Sequence, residues 1–315
     1  MNTTPITYAS HDGTSTVRAL VWEPEDAARP DFAPRAVVQL VHGMSEHVGR
    51  YAPFAEELCR AGFVVCANDH IGHGKTAAGE SELGHMPLDR GEDVLVEDVH
   101  ALRCRLAERY PEAPYVVFGH SMGSFVTRVY LTRHGRGLAA AVLCGTGQQP
   151  RLMSGAGMVL TRILAALRGE RHVSRLVHAM GAGGYARAIK GAKTDVDWIA
   201  TDPEVVAAYQ ADPLCGQVFT VGAYHTLSRL VADATSERLA RKVPRQLPML
   251  FIAGADDPVG ECGRGVRRAV SEYRNASVGH VELILYPRMR HEILNEPIRE
   301  QVYADVLDFL TRQGL

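Results

Sequence analysis

FGHSMGSFV, residues 118–126, is the stretch on which the fold turns. The residues leading into it, Tyr115 to Phe118, form a short apolar run suited to a buried strand, and from Ser124 to Tyr130 the spacing becomes helical. Ser121 therefore stands on a strand-to-helix turn. In a G-x-S-x-G turn, Gly119 and Gly123 let the strand and helix backbones approach closely while the serine hydroxyl is held out at the carboxyl edge of a sheet. The simpler alternative is a serine that only caps the helix.

Around this turn, short apolar runs alternate with longer helical patterns. The segments ITYAS and STVRALVWE flank the turn residues HDGT and predict an opening hairpin. Strands are expected over Ala36–Val41, Phe63–Asn68, Tyr115–Phe118, Ala139–Cys144, Met249–Ala253 and Val281–Tyr286. Helices are expected over Tyr51–Ala61, Asp93–Tyr110, Met122–His134 and Ile298–Arg312. This order predicts an α/β chain with a mainly parallel sheet covered on both faces. The alternation stops between Arg151 and Arg245, where helical patterns continue without a buried strand. Leu160, Ile163, Leu164 and Leu167 there follow amphipathic helical spacing, and Gly169 and Gly181–Gly184 mark breaks. The chain thus divides into a first core part (1–150), a helical insertion (151–245) and a second core part (246–315).

A serine hydroxyl is a weak nucleophile until a base takes its proton, and the base needs a carboxylate to orient it. Both partners follow strand-like runs downstream. Asp256 and Asp257 come after MLFIAG, and His291 comes after LILYP within RMRH. Taken singly, an aspartate before Pro258 reads as a turn residue, and His291 is one of 14 histidines. The order serine, acid, histidine at three strand ends favours catalysis, with either aspartate as the acid. An oxyanion intermediate needs two backbone donors. The Met122 N–H follows the serine, and the Met44 N–H lies in HGMSEH after the run VVQLV.

Composition excludes several other functions. The chain of 315 residues is 46% hydrophobic and 22% charged with a net charge of −2, so it has no basic surplus for nucleic acid. Six scattered cysteines form no close pair, which argues against a zinc site or a disulfide framework. The first residues lack a basic and apolar leader, and no apolar run is long enough to span a membrane, so a cytoplasmic location is expected. In DHIGHG, Asp69, His70 and His73 could be read as metal ligands, but the glycines and the loop position favour a structural turn. No metal and no cofactor is expected.

HGMSEHVGRY, DHIGHG, GHSMG, GADDPV and YPRMRHEILNE together resemble the monoacylglycerol lipase and lysophospholipase branch of the α/β-hydrolases, over nearly the whole chain. The resemblance implies that fold, and it favours Ser121, Asp257 and His291 as the triad. It also implies that the insertion is a helical cap shaping an acyl-binding tunnel. The family usually has Arg where this chain has Ile71. Glu46 and Arg50, four residues apart, read by themselves as a surface ion pair; in the family, the matching residues lie where they could bind the hydroxyls of a glycerol head group. The expected reaction is hydrolysis of a small acyl ester or lipid, a monoacylglycerol first and a lysophospholipid or short ester otherwise. An aminopeptidase and a non-catalytic ligand-binding protein of the same fold are the alternatives. The insertion carries 13 Lys or Arg against 8 Asp or Glu, which would allow at most peripheral membrane contact.

Overall fold

A computed structural model describes residues 1–315. Its centre is one eight-stranded sheet: β1 (Asn2–Ala9), β2 (Thr16–Glu23), β3 (Val37–Val41), β4 (Val64–Asn68), β5 (Tyr115–His120), β6 (Ala140–Cys144), β7 (Met249–Gly254) and β8 (Val281–Tyr286), in spatial order β1-β2-β4-β3-β5-β6-β7-β8. Strands β3 to β8 are parallel, and only β2 runs against its neighbours. The hairpin and all six core strands lie where the sequence predicts; the ends of the core strands shift by no more than two residues, while β1 begins four residues before the predicted Ile6.

The five residues of each of β3, β4 and β6 are all buried, as continuous apolar runs in a doubly covered sheet must be. Alternate side chains enter different cores. Val37, Val41 and Val117 face one, beneath helices α2 (Gly91–Arg109) and α3 (Met122–His134). Val38, Leu40, Val116 and Phe118 face the other, against α1 (Ala52–Arg60) and a C-terminal helix at Arg299–Arg312. Between β6 and β7 run helices α4 (Arg151–Arg168), α5 (Arg175–Met180), α6 (Pro203–Ala211), α7 (Val221–Ala234) and α8 (Glu237–Ala240), with no strand among them. Two more follow, α9 (Arg264–Asn275), which the sequence reading had not singled out, and α10, the C-terminal helix. No helix is long and apolar enough to cross a membrane.

One expectation fails in α4. Leu160 and Leu164 are partly covered, but Ile163 and Leu167 point outward, and the fully buried positions of the helix are Ser154 and Thr161. The buried line is polar because Thr161 Oγ1 meets His225 Nδ1 of α7 at 2.9 Å. Apolar spacing alone could not tell a face turned inward from one turned out.

The chain adds β4 on one side of β3 and then β5 on the other. The carboxyl ends of β3 and β5 therefore bound a topological switch point, where such sheets bind ligands. Helix α3 rides so close to this point that a Cβ on Gly123 would lie 2.0 Å from the Val41 carbonyl oxygen, and one on Gly119 would lie 2.5 Å from the Gly123 carbonyl oxygen. Gly123→Ala should overpack this backbone contact and destabilise the protein by about 1–3 kcal/mol in urea unfolding.

Candidate active site

Ser121 is the residue between β5 and α3, and it adopts φ 52° and ψ −121°, a conformation that non-glycine residues rarely hold. Its N–H donates to the Cys144 carbonyl at 3.0 Å, while its own carbonyl accepts from the Ser124 N–H at 2.9 Å and the Ser124 hydroxyl at 2.6 Å. The bend is thus held from both sides, with the Ser121 side chain partly exposed.

Asp257 and His291 come together although 34 residues separate them: His291 Nδ1 lies 2.8 Å from Asp257 Oδ2. Asp257 is fully buried and its second oxygen accepts the Val259 N–H at 2.9 Å, whereas Asp256 is exposed. Of the two aspartates, only Asp257 therefore orients the imidazole. Burial alone would push the His291 pKa down, but the Asp257 charge and hydrogen bond outweigh it and hold the value above that of an ordinary histidine. His291 Nε2 is buried without a hydrogen-bond partner.

The imidazole reaches the serine turn over Gly145, the residue after Cys144, where a Cβ would meet His291 Cε1 at 3.0 Å. No Ser121–His291 hydrogen bond is formed in this state; such bonds are often long before a substrate closes the site. His120 flanks His291 at 4.9 Å between ring centroids, and burial pushes its pKa down to about 3, so it stays neutral. Trp198 covers His291 from the helical insertion at 5.0 Å and itself meets the Tyr185 ring at 5.0 Å with the planes tilted by 57°.

The loop after β3 presses on the serine, since a Cβ on Gly43 would lie 2.9 Å from Ser121 Cβ. Neither Met44 nor Met122 gives its backbone N–H to an acceptor within the chain. Two free donors thus flank the serine turn. Behind the loop, His42 Nε2 accepts the His70 N–H at 2.9 Å, and Asp69 accepts the Val48 and Lys75 N–H groups at 2.9 and 2.8 Å. Both Asp69 oxygens are used in this way, so DHIGHG is a turn that braces the loop.

Glu46 and Arg50 are paired at 3.0 Å, but not on the surface and not on an α-helix. Glu46 is buried and Arg50 mostly so, and Arg50 also makes two 2.6 Å bonds to Glu292. The surface reading is corrected by that third, distant partner. His47, Asp212 and Cys215 also gather, with ligand-type atoms within 4.8 Å of one another. They suit a metal poorly. His47 spends Nε2 on Asp212 at 2.9 Å and accepts the Gly49 N–H on Nδ1 at 3.1 Å, while burial pushes the Cys215 thiol up to about 12.

Sequence reasoning missed Glu292, Trp198, Tyr185 and Glu296. Glu296 is wholly buried and accepts from the Arg290 N–H at 2.8 Å and the Thr201 N–H at 2.9 Å, which ties the loop bearing His291 to the insertion. The two acids of RHEILNE, beside and five residues after the histidine, were the available signal for Glu292 and Glu296; nothing local marked Trp198 or Tyr185.

Known proteins resemble this chain in sequence and in fold. Residues 33–298 match the family model Hydrolase_4, described as serine aminopeptidase, S33. A monoacylglycerol lipase of Mycolicibacterium smegmatis is 31% identical over 288 residues, covering 90% of this chain and 91% of that protein. The crystal structure of a highly thermostable carboxyl esterase from Bacillus coagulans in complex with glycerol superposes with a TM-score of 0.91 at 32% identity, covering 100% of both chains. A soluble variant of monoglyceride lipase from Saccharomyces cerevisiae shares the fold at TM-score 0.78 and 19% identity, over 99% of this chain and 95% of that one.

Asp257→Asn removes the charge that outweighs burial at His291. The His291 imidazole titration, followed by NMR, should then move to lower pH. The chain belongs to the Hydrolase_4 family of α/β-hydrolases and is a hydrolase of the lipase and esterase kind.

Proposed function

We propose that the protein hydrolyses single-chain acyl esters, monoacylglycerols first, through an acyl-enzyme on Ser121. The observation that carries this reading is the strained Ser121 turn beside the buried His291–Asp257 pair. Ser121 Oγ attacks the ester carbonyl while His291 Nε2 takes its proton, and Asp257 stabilises the imidazolium. The Met44 and Met122 N–H groups receive the oxyanion. His291 then protonates the departing alcohol, and a water activated by the same nitrogen releases the fatty acid and restores the serine. No step calls for a metal or an organic cofactor.

The monoacylglycerol reading is supported by the Mycolicibacterium relative and by the glycerol bound to the Bacillus esterase. A lysophospholipid or a short ester is the second choice of substrate. An aminopeptidase would need free carboxylates near the serine to hold a substrate ammonium. The buried acids Glu46 and Glu292 are instead both engaged by Arg50, which disfavours that reading.

Residues 151–245 are, in this proposal, a cap over the site. Its outer face carries apolar side chains, with Leu152 84% and Leu167 76% exposed, beside the exposed Arg151, Arg162 and Arg168. That pairing fits the surface of an anionic bilayer. All six cysteines are free, in keeping with a cytoplasmic setting.

Three measurements test the proposal. Fatty-acid release from monoacylglycerols should exceed release from lysophospholipids, short aryl esters and aminoacyl amides, and Ser121→Ala should abolish it; activity surviving that substitution would sink the mechanism. Because protonated His291 cannot accept the serine proton, kcat/KM should fall as pH drops through a midpoint above the ordinary histidine value of about 6.5. Leu152→Glu with Leu167→Glu should weaken co-sedimentation with phosphatidylglycerol vesicles while leaving fluorophosphonate labelling of Ser121 unchanged. Equal binding of both forms would remove the membrane reading.

A further inference from the structure

The Met44 loop leaves the sheet from β3 and the His291 loop from β8, with β5, β6 and β7 between them. One guanidinium joins the two. Arg50 donates twice to Glu292, at 2.6 Å each, and once to Glu46 at 3.0 Å. Glu46 Oε1 in turn accepts the Gly43 N–H at 2.6 Å and the Tyr51 hydroxyl at 2.8 Å. Gly43 is bonded to Met44, and Glu292 to His291. The side chains of Arg50, Glu46 and Glu292 are only 13%, 4% and 6% exposed.

We propose that the Glu46–Arg50–Glu292 bridge is a positioning device for the ester hydrolysis inferred above, on which it rests: it sets the distance between the Met44 N–H and the His291 ring across Ser121. Buried charges stabilise a fold poorly compared with apolar packing of similar volume, so stability alone gives little reason for three of them here. A planar guanidinium bound bidentately fixes angle as well as distance, which a flexible ammonium does not. The space beside the bridge is a cavity of ≈ 10 Å³ lined also by Phe54, His120 and Tyr303, room for about one water and not for a glycerol head group. Arg50 is further seated over the Tyr209 ring at 4.9 Å, and the Tyr209 hydroxyl donates to the Ser45 carbonyl at 2.9 Å, steadying the Met44 loop from the insertion.

The bridge is electrically lopsided. Burial alone would raise the Glu292 pKa, but the charge and paired bonds of Arg50 reverse this and lower it; at Glu46, with a single bond to Arg50, burial prevails and the pKa rises. The ionised Glu292 faces the imidazole together with Asp257, Glu46 and neutral His120, and adds to the stabilisation of its charged form.

The test uses the full-length protein with Glu292→Gln, Arg50→Lys and the double variant, measuring kcat, KM, the pH profile and urea unfolding with a monoacylglycerol. Each single variant should lose about 10- to 100-fold in kcat, the size expected of a misplaced reacting group, with KM within about threefold. The double variant should be no worse than the poorer single one, because both break the same bridge. In Glu292→Gln the acid limb should also move to lower pH, since a negative charge beside the imidazolium is gone. A folded Glu292→Gln with wild-type kcat and an unmoved acid limb overturns the proposal, as do losses that multiply in the double variant. If Glu292→Gln does not fold, Arg50→Ala decides: partial recovery of kcat with millimolar guanidinium, but not with sodium chloride, supports the bridge, and no recovery overturns it. Activity in Ser121→Ala would instead remove the underlying mechanism, so the two failures are distinguishable.

Discussion

The backbone contact between α3 and the end of β3 is the constraint on which the rest depends. With Gly123 pressed against the Val41 carbonyl, the chain has a single residue in which to turn from strand to helix, and that residue is Ser121. Its unusual φ of 52° follows from the approach. The same crowding brings Gly43 onto Ser121, so the loop with the Met44 N–H and the serine are set by one packing event. Strain at this bend is held by the Cys144 and Ser124 hydrogen bonds, which a flexible loop could not supply.

Much of this was legible in the sequence because it is local. Each strand run, the two glycines and each strand-end serine, acid or histidine can be read within a window of about ten residues, and their order along the chain needs only that these windows be lined up. Residue pattern by itself did not separate Asp256 from Asp257, since adjacent loop residues point in opposite directions; the family resemblance favoured Asp257, and the fold buries that one and exposes Asp256. Glu46 and Arg50 misled for a different reason. Their spacing invokes a rule for exposed helices, while their decisive partner, Glu292, lies 242 residues beyond Arg50. The outward turn of Ile163 and Leu167 is likewise a fact about what α7 leaves uncovered, and α4 carries no local sign of it.

The charged groups around His291 divide the labour. Asp257 orients the ring and supports its charge; His120, held neutral, fills space beside it without competing for the proton. Arg50 lets two further acids sit nearby without leaving either unpaired, which a buried carboxylate rarely tolerates.

The insertion is attached to the core unevenly, and this matters for how the protein can change. Residues 197–201 are tied to the loop of His291: Arg290 donates to the Asp197 carbonyl at 2.6 Å and to that of Ala200 at 2.9 Å, and the Glu292 N–H donates to the Ile199 carbonyl at 2.6 Å. Tyr209, Gly216 and Gln217 clasp Ser45 beside Met44. The later half of the insertion is thus part of the scaffold that holds the proposed reacting groups. Helices α4 and α5 have no such ties to either loop, so they are the portion that can diverge in sequence, or be exchanged between relatives, without dismantling that scaffold.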